Sequence, residues 1–345
     1  MEFIYSDIID PSTYEAEGLS NGIPLRKHRN PIKENIGAIR AQRDWAKLVS
    51  PMKNFKGSLG ADYTFIRVTV PECLPERLEI LSYANEYAFL YDDGMEIIGQ
   101  DPKNDKNHQL LEVFGDEALR HTSGSNDLGE KKIQAQILAE MMAIDHERAV
   151  TSMKAWAKFV QLASSRQRDI PFTSLEEYLP YRIVDAGELI WFAIVTFGMA
   201  LTIPEQETDL CSQLVQPVYA AVALTNDLFS WEKERDAADR QGLSNVVNAI
   251  WVLMREHSIN ETDAKNMCRE KIKESVAEYI RIVEATRQNL EISLDLRKYI
   301  EALQYSHSGN LVWSMHCPRY NAEASYSDVQ LSMMEQGATE ALEIE

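Results

Sequence analysis

Two short runs of oxygen-bearing side chains have the types and spacing to do chemistry. The first is Asp92-Asp93-Gly94-Met95-Glu96, which follows the apolar Phe89-Leu90-Tyr91. On a helix Asp92 and Glu96, four apart, share a face, and Asp93 lies beside them. Carboxylates of this kind suit Mg²⁺, a hard cation that takes one or two carboxylates together with waters and phosphate oxygens. In so acidic a chain the same run would also serve as a solvated helix end. Its apolar flank argues for the rim of a pocket. The second run is Asn226-Asp227-Leu228-Phe229-Ser230-Trp231-Glu232-Lys233-Glu234. Asn226, Ser230 and Glu234 stand at i, i+4 and i+8, within about 80° of one another on a helix. An amide oxygen, a hydroxyl and a carboxylate thus form one column of donors for a hard cation. The run before them, from Tyr219 to Thr225, is apolar. These polar groups therefore emerge from a core helix.

Helices must position such groups, and the chain reads as helical nearly throughout. A helix signal opens at Pro75, with proline suited to the first position and Glu76 to the positive end. Leu78, Leu81, Ala84, Ala88 and Tyr91 then recur at helical spacing. Ile133, Ile137, Met141 and Ile144 form another stripe, and Met153, Trp156, Phe159 and Val160 a third. Leu189 to Leu201 is almost wholly apolar, which predicts a helix buried on all sides and ended by Pro204. Further helices are predicted over 210–231, with a charged continuation, and over 245–253, 264–288 and 294–315. The first 70 residues read as an irregular lead-in followed by short helices. Gln100 to Glu130 is polar and reads as a long surface connection, with a short helix near Leu110 to Phe114. Strand-like alternation is nearly absent. The expectation is an all-α fold: ten or more helices in one bundle, a single domain over 1–345.

The 345 residues are 45% hydrophobic, ample for a large core, and carry a net charge of −19 from 54 acidic and 35 basic residues. Such a surface repels nucleic acid and anionic membranes. A negatively charged substrate would need a local cationic site, which bound metal ions supply. Cys73, Cys211, Cys268 and Cys317 are widely spread, with no CxxC pair, so neither a zinc site nor a disulfide framework is expected. No run of about 18 apolar residues predicts a membrane span. The first residues have no signal-peptide pattern, which points to the cytoplasm.

The two motifs in this order, separated by a long helical stretch, resemble those of the class I terpene cyclases, an aspartate-rich DDxx(D/E) and a downstream NDxxSxxxE. The resemblance implies a helical bundle around a central apolar cavity, with three Mg²⁺ ions binding the substrate diphosphate. It implies Asp92, Asp93, Glu96, Asn226, Ser230 and Glu234 as metal ligands, and Lys233 as the basic residue beside the last of them. In Tyr181-Arg182-Ile183-Val184-Asp185-Ala186-Gly187, Arg182 is similar to the family's diphosphate-sensing arginine and Asp185 to its linker. Ala186 or Gly187 falls where a helix break exposes a carbonyl. Arg319-Tyr320 resembles a C-terminal pair that closes on the diphosphate. Segments 70–79, 294–299 and 308–313 narrow the likeness to the N-terminal cyclase domain of fungal bifunctional terpene synthases, over about Met1 to Asn321. Those carry a second, prenyltransferase domain, which is absent from these 345 residues. Glu96 in place of a final aspartate is one departure; Gly94, which could loosen the helix end, is another.

The implied reaction converts geranylgeranyl diphosphate into a polycyclic hydrocarbon of fusicoccane or variediene type. Aromatic faces would stabilise the cations, with Phe65, Phe89, Trp191, Phe192 and Trp313 as candidates. No general base is evident, and the diphosphate itself can take the last proton. The alternatives are a sesterterpene cyclase using geranylfarnesyl diphosphate and a non-catalytic helical binding or scaffold domain. A chain-elongating prenyltransferase would carry a second aspartate-rich motif in place of Asn226 to Glu234. A class II cyclase needs an acid motif not found here.

Overall fold

The computed structural model describes residues 1–52, 55–98, 129–164 and 172–342. The helices are α1 (Pro31–Leu48), α2 (Phe65–Thr69), α3 (Leu78–Ile98), α4 (Gly129–Ile144), α5 (His146–Ser164), α6 (Leu175–Asp185), α7 (Glu188–Gly198), α8 (Thr208–Gln241), α9 (Ala249–His257), α10 (Glu261–Arg287), α11 (Leu294–His316) and α12 (Asp328–Leu342). Before them, β1 (Ser6–Ile8) and β2 (Arg26–His28) pair as an antiparallel ribbon, Ser6 opposite His28. Among the described residues no helix is long and apolar enough to cross a membrane. The chain is all-α in architecture, as its periodicity predicts.

Local chemistry sets several helix starts. Asn30 caps α1 by accepting from the Ile32 and Lys33 amides, with Pro31 in the first turn. Ser293 caps α11 in the same way, accepting from Leu296 N. Several predicted ends move. Pro75 does not open α3; residues 75–77 form a turn, and Arg77 is instead tied to Phe197 O (2.9 Å) and Asp145 (2.8 Å). The predicted 245–253 helix begins only at Ala249, because the Asn248 side chain accepts from Ile250 N and caps it there. The lead-in contains one 18-residue helix as well as the ribbon. Most of the predicted 100–130 connection lies outside the described residues.

α11 is the axis of the bundle, buried on nearly every face. It packs on α2, α8 and α10, while α1 lies along α3 and α5 along α7. α11 approaches α2 so closely that a Cβ on Gly309 would stand 2.0 Å from Val68 O. α7 is buried from Ala193 to Gly198, but Leu189, Ile190 and Phe192 are only half-buried, and the helix stops at Gly198 rather than at Pro204.

A buried histidine on α11 makes stability depend on acid. His307 Nε2 donates to the Leu19 carbonyl at 3.3 Å, so the neutral ring carries its proton there. Burial lowers its pKa to about 4, against the hydrogen bond to Leu19, which raises it. Above about pH 6.5 both folded and unfolded chains are neutral at this residue. Between pH 6.5 and 4 only the unfolded chain takes up the proton, so stability falls by about 3 kcal/mol across that window. Melting curves at pH 7 and 4.5 should show a smaller acid loss for His307→Gln than for the wild type. Equal losses would show that this ring does not supply the effect.

Candidate active site

The second run lies in α8, a 34-residue helix that continues unbroken through Pro217 to Gln241. Asn226, Ser230 and Glu234 share one face, as their spacing requires. The Ser230 side chain is buried and its Oγ has no hydrogen-bond partner among the described residues, an unpaired oxygen of the kind a hard cation takes up. Desolvation pushes Glu234 up to about 7, with Asp227 adding to the rise and Arg182 and Asn248 opposing it.

Arg182, at the end of α6, is buried with three acceptors at 2.7 Å. Nε donates to Asp227 Oδ1, Nη1 to Asp185 Oδ2 and Nη2 to Asn226 Oδ1. Burial works to lower its pKa, but Asp227, Tyr178, Asp185 and Glu234 raise it well above the usual range. The predicted helix break is present. α6 ends at Asp185, Ala186 caps it, and Gly187 adopts the left-handed φ of 87° that glycine tolerates. The Gly187 carbonyl begins α7, accepting from Trp191 N at 2.9 Å.

The first run faces this helix from α3. Asp92 is the exposed member, its side chain 64% accessible, with Arg319 Nη2 at 3.9 Å from Oδ2. Asp93 gathers cations. Arg319 Nη1 donates to Oδ2 (2.8 Å) and Nη2 to Oδ1 (2.7 Å), while Lys233 Nζ donates to Oδ1 (2.9 Å). Burial works to raise the Asp93 pKa, but Arg319 and Lys233 outweigh it and hold the carboxyl below its ordinary value. Tyr320 completes the link, its hydroxyl accepting from Asn226 Nδ2 at 3.0 Å. Four separate stretches of sequence thus meet in one polar cluster. The Glu96 side chain lies outside the described residues. Helix α3 runs on to Ile98, so Gly94 does not end it; a Cβ there would stand 3.3 Å from Trp45 Cζ2.

Beside this cluster the aromatic rings converge. Phe65 is edge-on to Phe89 (5.5 Å between centroids) and to Trp313 (4.8 Å), and tilted against Trp191 (5.3 Å). Trp313 also meets Phe89 and Tyr320, and the Arg319 guanidinium lies 4.8 Å from the Phe89 centroid. Phe192 instead meets Tyr299 edge-on, and the Tyr299 and Tyr219 hydroxyls are 2.6 Å apart.

Three residues outside the predicted set brace the site. Asp227, fully buried, accepts from Tyr178 Oη (2.7 Å), Arg182 Nε (2.7 Å) and Ala249 N (2.8 Å). Burial raises its pKa against those three donors. Asn248 Nδ2 donates to Glu234 Oε2 and to Asp227 O, each at 2.9 Å. One signal was available in the sequence. Asp227 shares its helical face with Leu224 and Trp231, and an acid on an apolar face must be paired. Nothing local identified Tyr178 or Asn248 as its neighbours.

The donors fit a hard cation, since amide, hydroxyl and carboxylate oxygens stand on one helix face. Among the described residues no three His, Cys, Asp or Glu side chains converge on a metal position by themselves. A metal here would therefore rely on Asn226 and Ser230 and on oxygens from a ligand.

A helical bundle with facing acidic and amide motifs beside a cluster of aromatic rings defines the class of the helical terpene synthases. The profile described as "Terpene synthase family 2, C-terminal metal binding" matches residues 84–278, more than half of the chain. The protein belongs to this family. It is 50% identical to fusicoccadiene synthase of Phomopsis amygdali, over 98% of this chain and 48% of that protein. It is 42% identical to a bifunctional sesterterpene synthase of Aspergillus aculeatus, over 99% and 48%. The chain spans about half the length of the curated relatives it matches. Aristolochene synthase from Penicillium roqueforti shares the fold, with a TM-score of 0.62 at 22% identity over 74% of this chain and 85% of that one. Wild-type cucumene synthase does so with 0.65 at 14%, over 85% and 98%.

Proposed function

We propose that the protein is a Mg²⁺-dependent class I diterpene cyclase, which converts geranylgeranyl diphosphate into a polycyclic hydrocarbon and inorganic diphosphate. The observation that carries this reading is the Asp93–Lys233–Arg319 cluster beside the Asn226–Ser230–Glu234 column. Together they bring cationic groups and hard oxygen donors next to the aromatic cluster. Asp92, with Asp93 and Glu96 beside it, and Asn226, Ser230 and Glu234 would hold Mg²⁺, three ions with substrate bound. Bound Mg²⁺ would act as a Lewis acid that neutralises the leaving diphosphate.

The chain's own residues do the rest. Lys233, Arg319 and Arg182 offer positive charge, and Tyr320 a hydroxyl, where negative charge develops. The C–O bond breaks heterolytically and its electron pair leaves with diphosphate. Phe65, Phe89, Trp191 and Trp313 exclude water and face the cation, each ring contributing about 0.5–2 kcal/mol when desolvated. Ring closure ends with loss of a proton, which the diphosphate retained in the site can take. The relatives' printed names include bifunctional diterpene and sesterterpene synthases. We therefore read these residues as one cyclase unit with a prenyltransferase unit as its partner, and keep geranylfarnesyl diphosphate as the second substrate reading. Four buried, unbridged cysteines suit the reducing cytoplasm.

Incubation with Mg²⁺ and either diphosphate, followed by gas chromatography–mass spectrometry of the hexane extract, tests this directly. A C20 hydrocarbon abolished by EDTA is expected. A C25 product alone would transfer the assignment to the longer substrate. No hydrocarbon and no diphosphate release from either would leave a helical binding domain.

A further inference from the structure

One buried carboxylate has no part in the chemistry above. Glu86 lies on α3, the helix of Asp92 and Asp93, and is fully buried. Its Oε2 accepts from Ser58 N (2.8 Å) and its Oε1 from Gln42 Nε2 of α1 (2.6 Å). Gly57 presses against it so closely that a Cβ there would stand 2.1 Å from Oε1. Only glycine permits that approach of backbone to carboxylate. The carbonyls on either side of Gly57 hold two residues of the site. Lys56 O accepts from Arg319 Nη1 and Ser58 O from Trp313 Nε1, both at 2.9 Å. Burial raises the Glu86 pKa, and the loop's donors, Gln42 and the Arg319 charge pull it back.

We propose that Glu86 is a positioning residue: with Gly57 it latches residues 56–58 so that the Lys56 and Ser58 carbonyls set Arg319 and Trp313 in place. This rests on the cyclase reading, in which Arg319 receives the diphosphate and Trp313 faces the cation. The latch is separable from the fold. The same loop is tied further on by Ala61 N to Ser325 O (3.1 Å) and by Gln330 Nε2 to Gly60 O (3.0 Å). Those bonds, with Phe65 N donating to Ser58 O (3.1 Å), keep the loop folded when the Glu86 contact is weakened, while the Ser58 amide and residues 56–57 slacken.

Glu86→Gln keeps the shape but turns an amide N–H₂ toward one of two donors. The first readout needs no turnover: hydrogen exchange at the Trp313 indole N–H, assigned by its loss in Trp313→Phe. Exchange about 10-fold faster at Trp313 alone, among the six tryptophans of the chain, is expected. The second readout is Mg²⁺-dependent binding of inorganic diphosphate, expected to weaken about 10-fold while the melting temperature falls by only a few degrees. In an active enzyme the product profile should shift toward early-quenched, less cyclised species. Gly57→Ala should give the same phenotype, partly rescued by Glu86→Asp, whose shorter side chain makes room for the methyl group. If Glu86→Gln does not fold, this pair carries the same readouts. Wild-type exchange at Trp313, or equal acceleration of all six indoles, would overturn the latch. A wild type that releases no diphosphate would overturn the cyclase reading instead, leaving the exchange result to decide the latch.

Discussion

Asp92→Ala, and separately Asn226→Ala combined with Ser230→Ala, should abolish hydrocarbon formation while the circular dichroism spectrum stays helical. The expected loss is roughly 10³-fold or more in kcat/KM, the scale of removing a group that stabilises developing charge. Asp92 is largely exposed, so its removal costs the fold little. The double variant removes Asn226's bonds to Arg182 and Tyr320 as well, and should also lose about 1–3 kcal/mol of stability. Mg²⁺-dependent binding of inorganic diphosphate, measured calorimetrically on the same samples, should fall with activity. Turnover within a few-fold of wild type in either variant would remove these residues from the metal assignment.

The second large effect concerns stability. Asp227→Ala should destabilise the protein by about 3 kcal/mol, because it opens a cavity beside buried Arg182 and leaves Asp185 as that charge's remaining carboxylate hydrogen-bond partner. It also strands the Tyr178 hydroxyl and the Ala249 amide, which both donate to Asp227. Asp227→Asn retains the shape and an acceptor, so its cost should be smaller, though one amide N–H₂ must face a donor. Denaturant titrations followed by circular dichroism should rank wild type above Asn and Asn above Ala. An alanine variant within about 1 kcal/mol of wild type would mean that water or a repositioned Glu234 compensates Arg182. In that case Asp227 is not the brace described here.

Much of this site was readable before any coordinates. Helical periodicity is a local property, so the column of Asn226, Ser230 and Glu234 follows from their spacing. The break at Gly187 follows from a residue that tolerates a positive φ. The burial of α7 from Ala193 to Gly198 follows from its apolar run. Helix starts were less legible, because a cap such as Asn248 competes with other nearby polar residues for the same role.

Pairing over long separations was not readable at all. Asp93 meets Lys233 across 140 residues and Arg319 across 226. From spacing alone Asp93 looks like a metal ligand no different from Asp92. Only the packing of α3 against the C-terminal stretch makes one exposed and the other the anchor of two cations. Likewise Glu86 is an unremarked acid in a helical stripe until the fold brings Gly57 against it. The helices and the faces that carry the chemistry depend on neighbours three and four residues apart, so the order of residues specifies them. Which charges neutralise one another depends on which helices share a dry interior, and that is a property of the packed bundle.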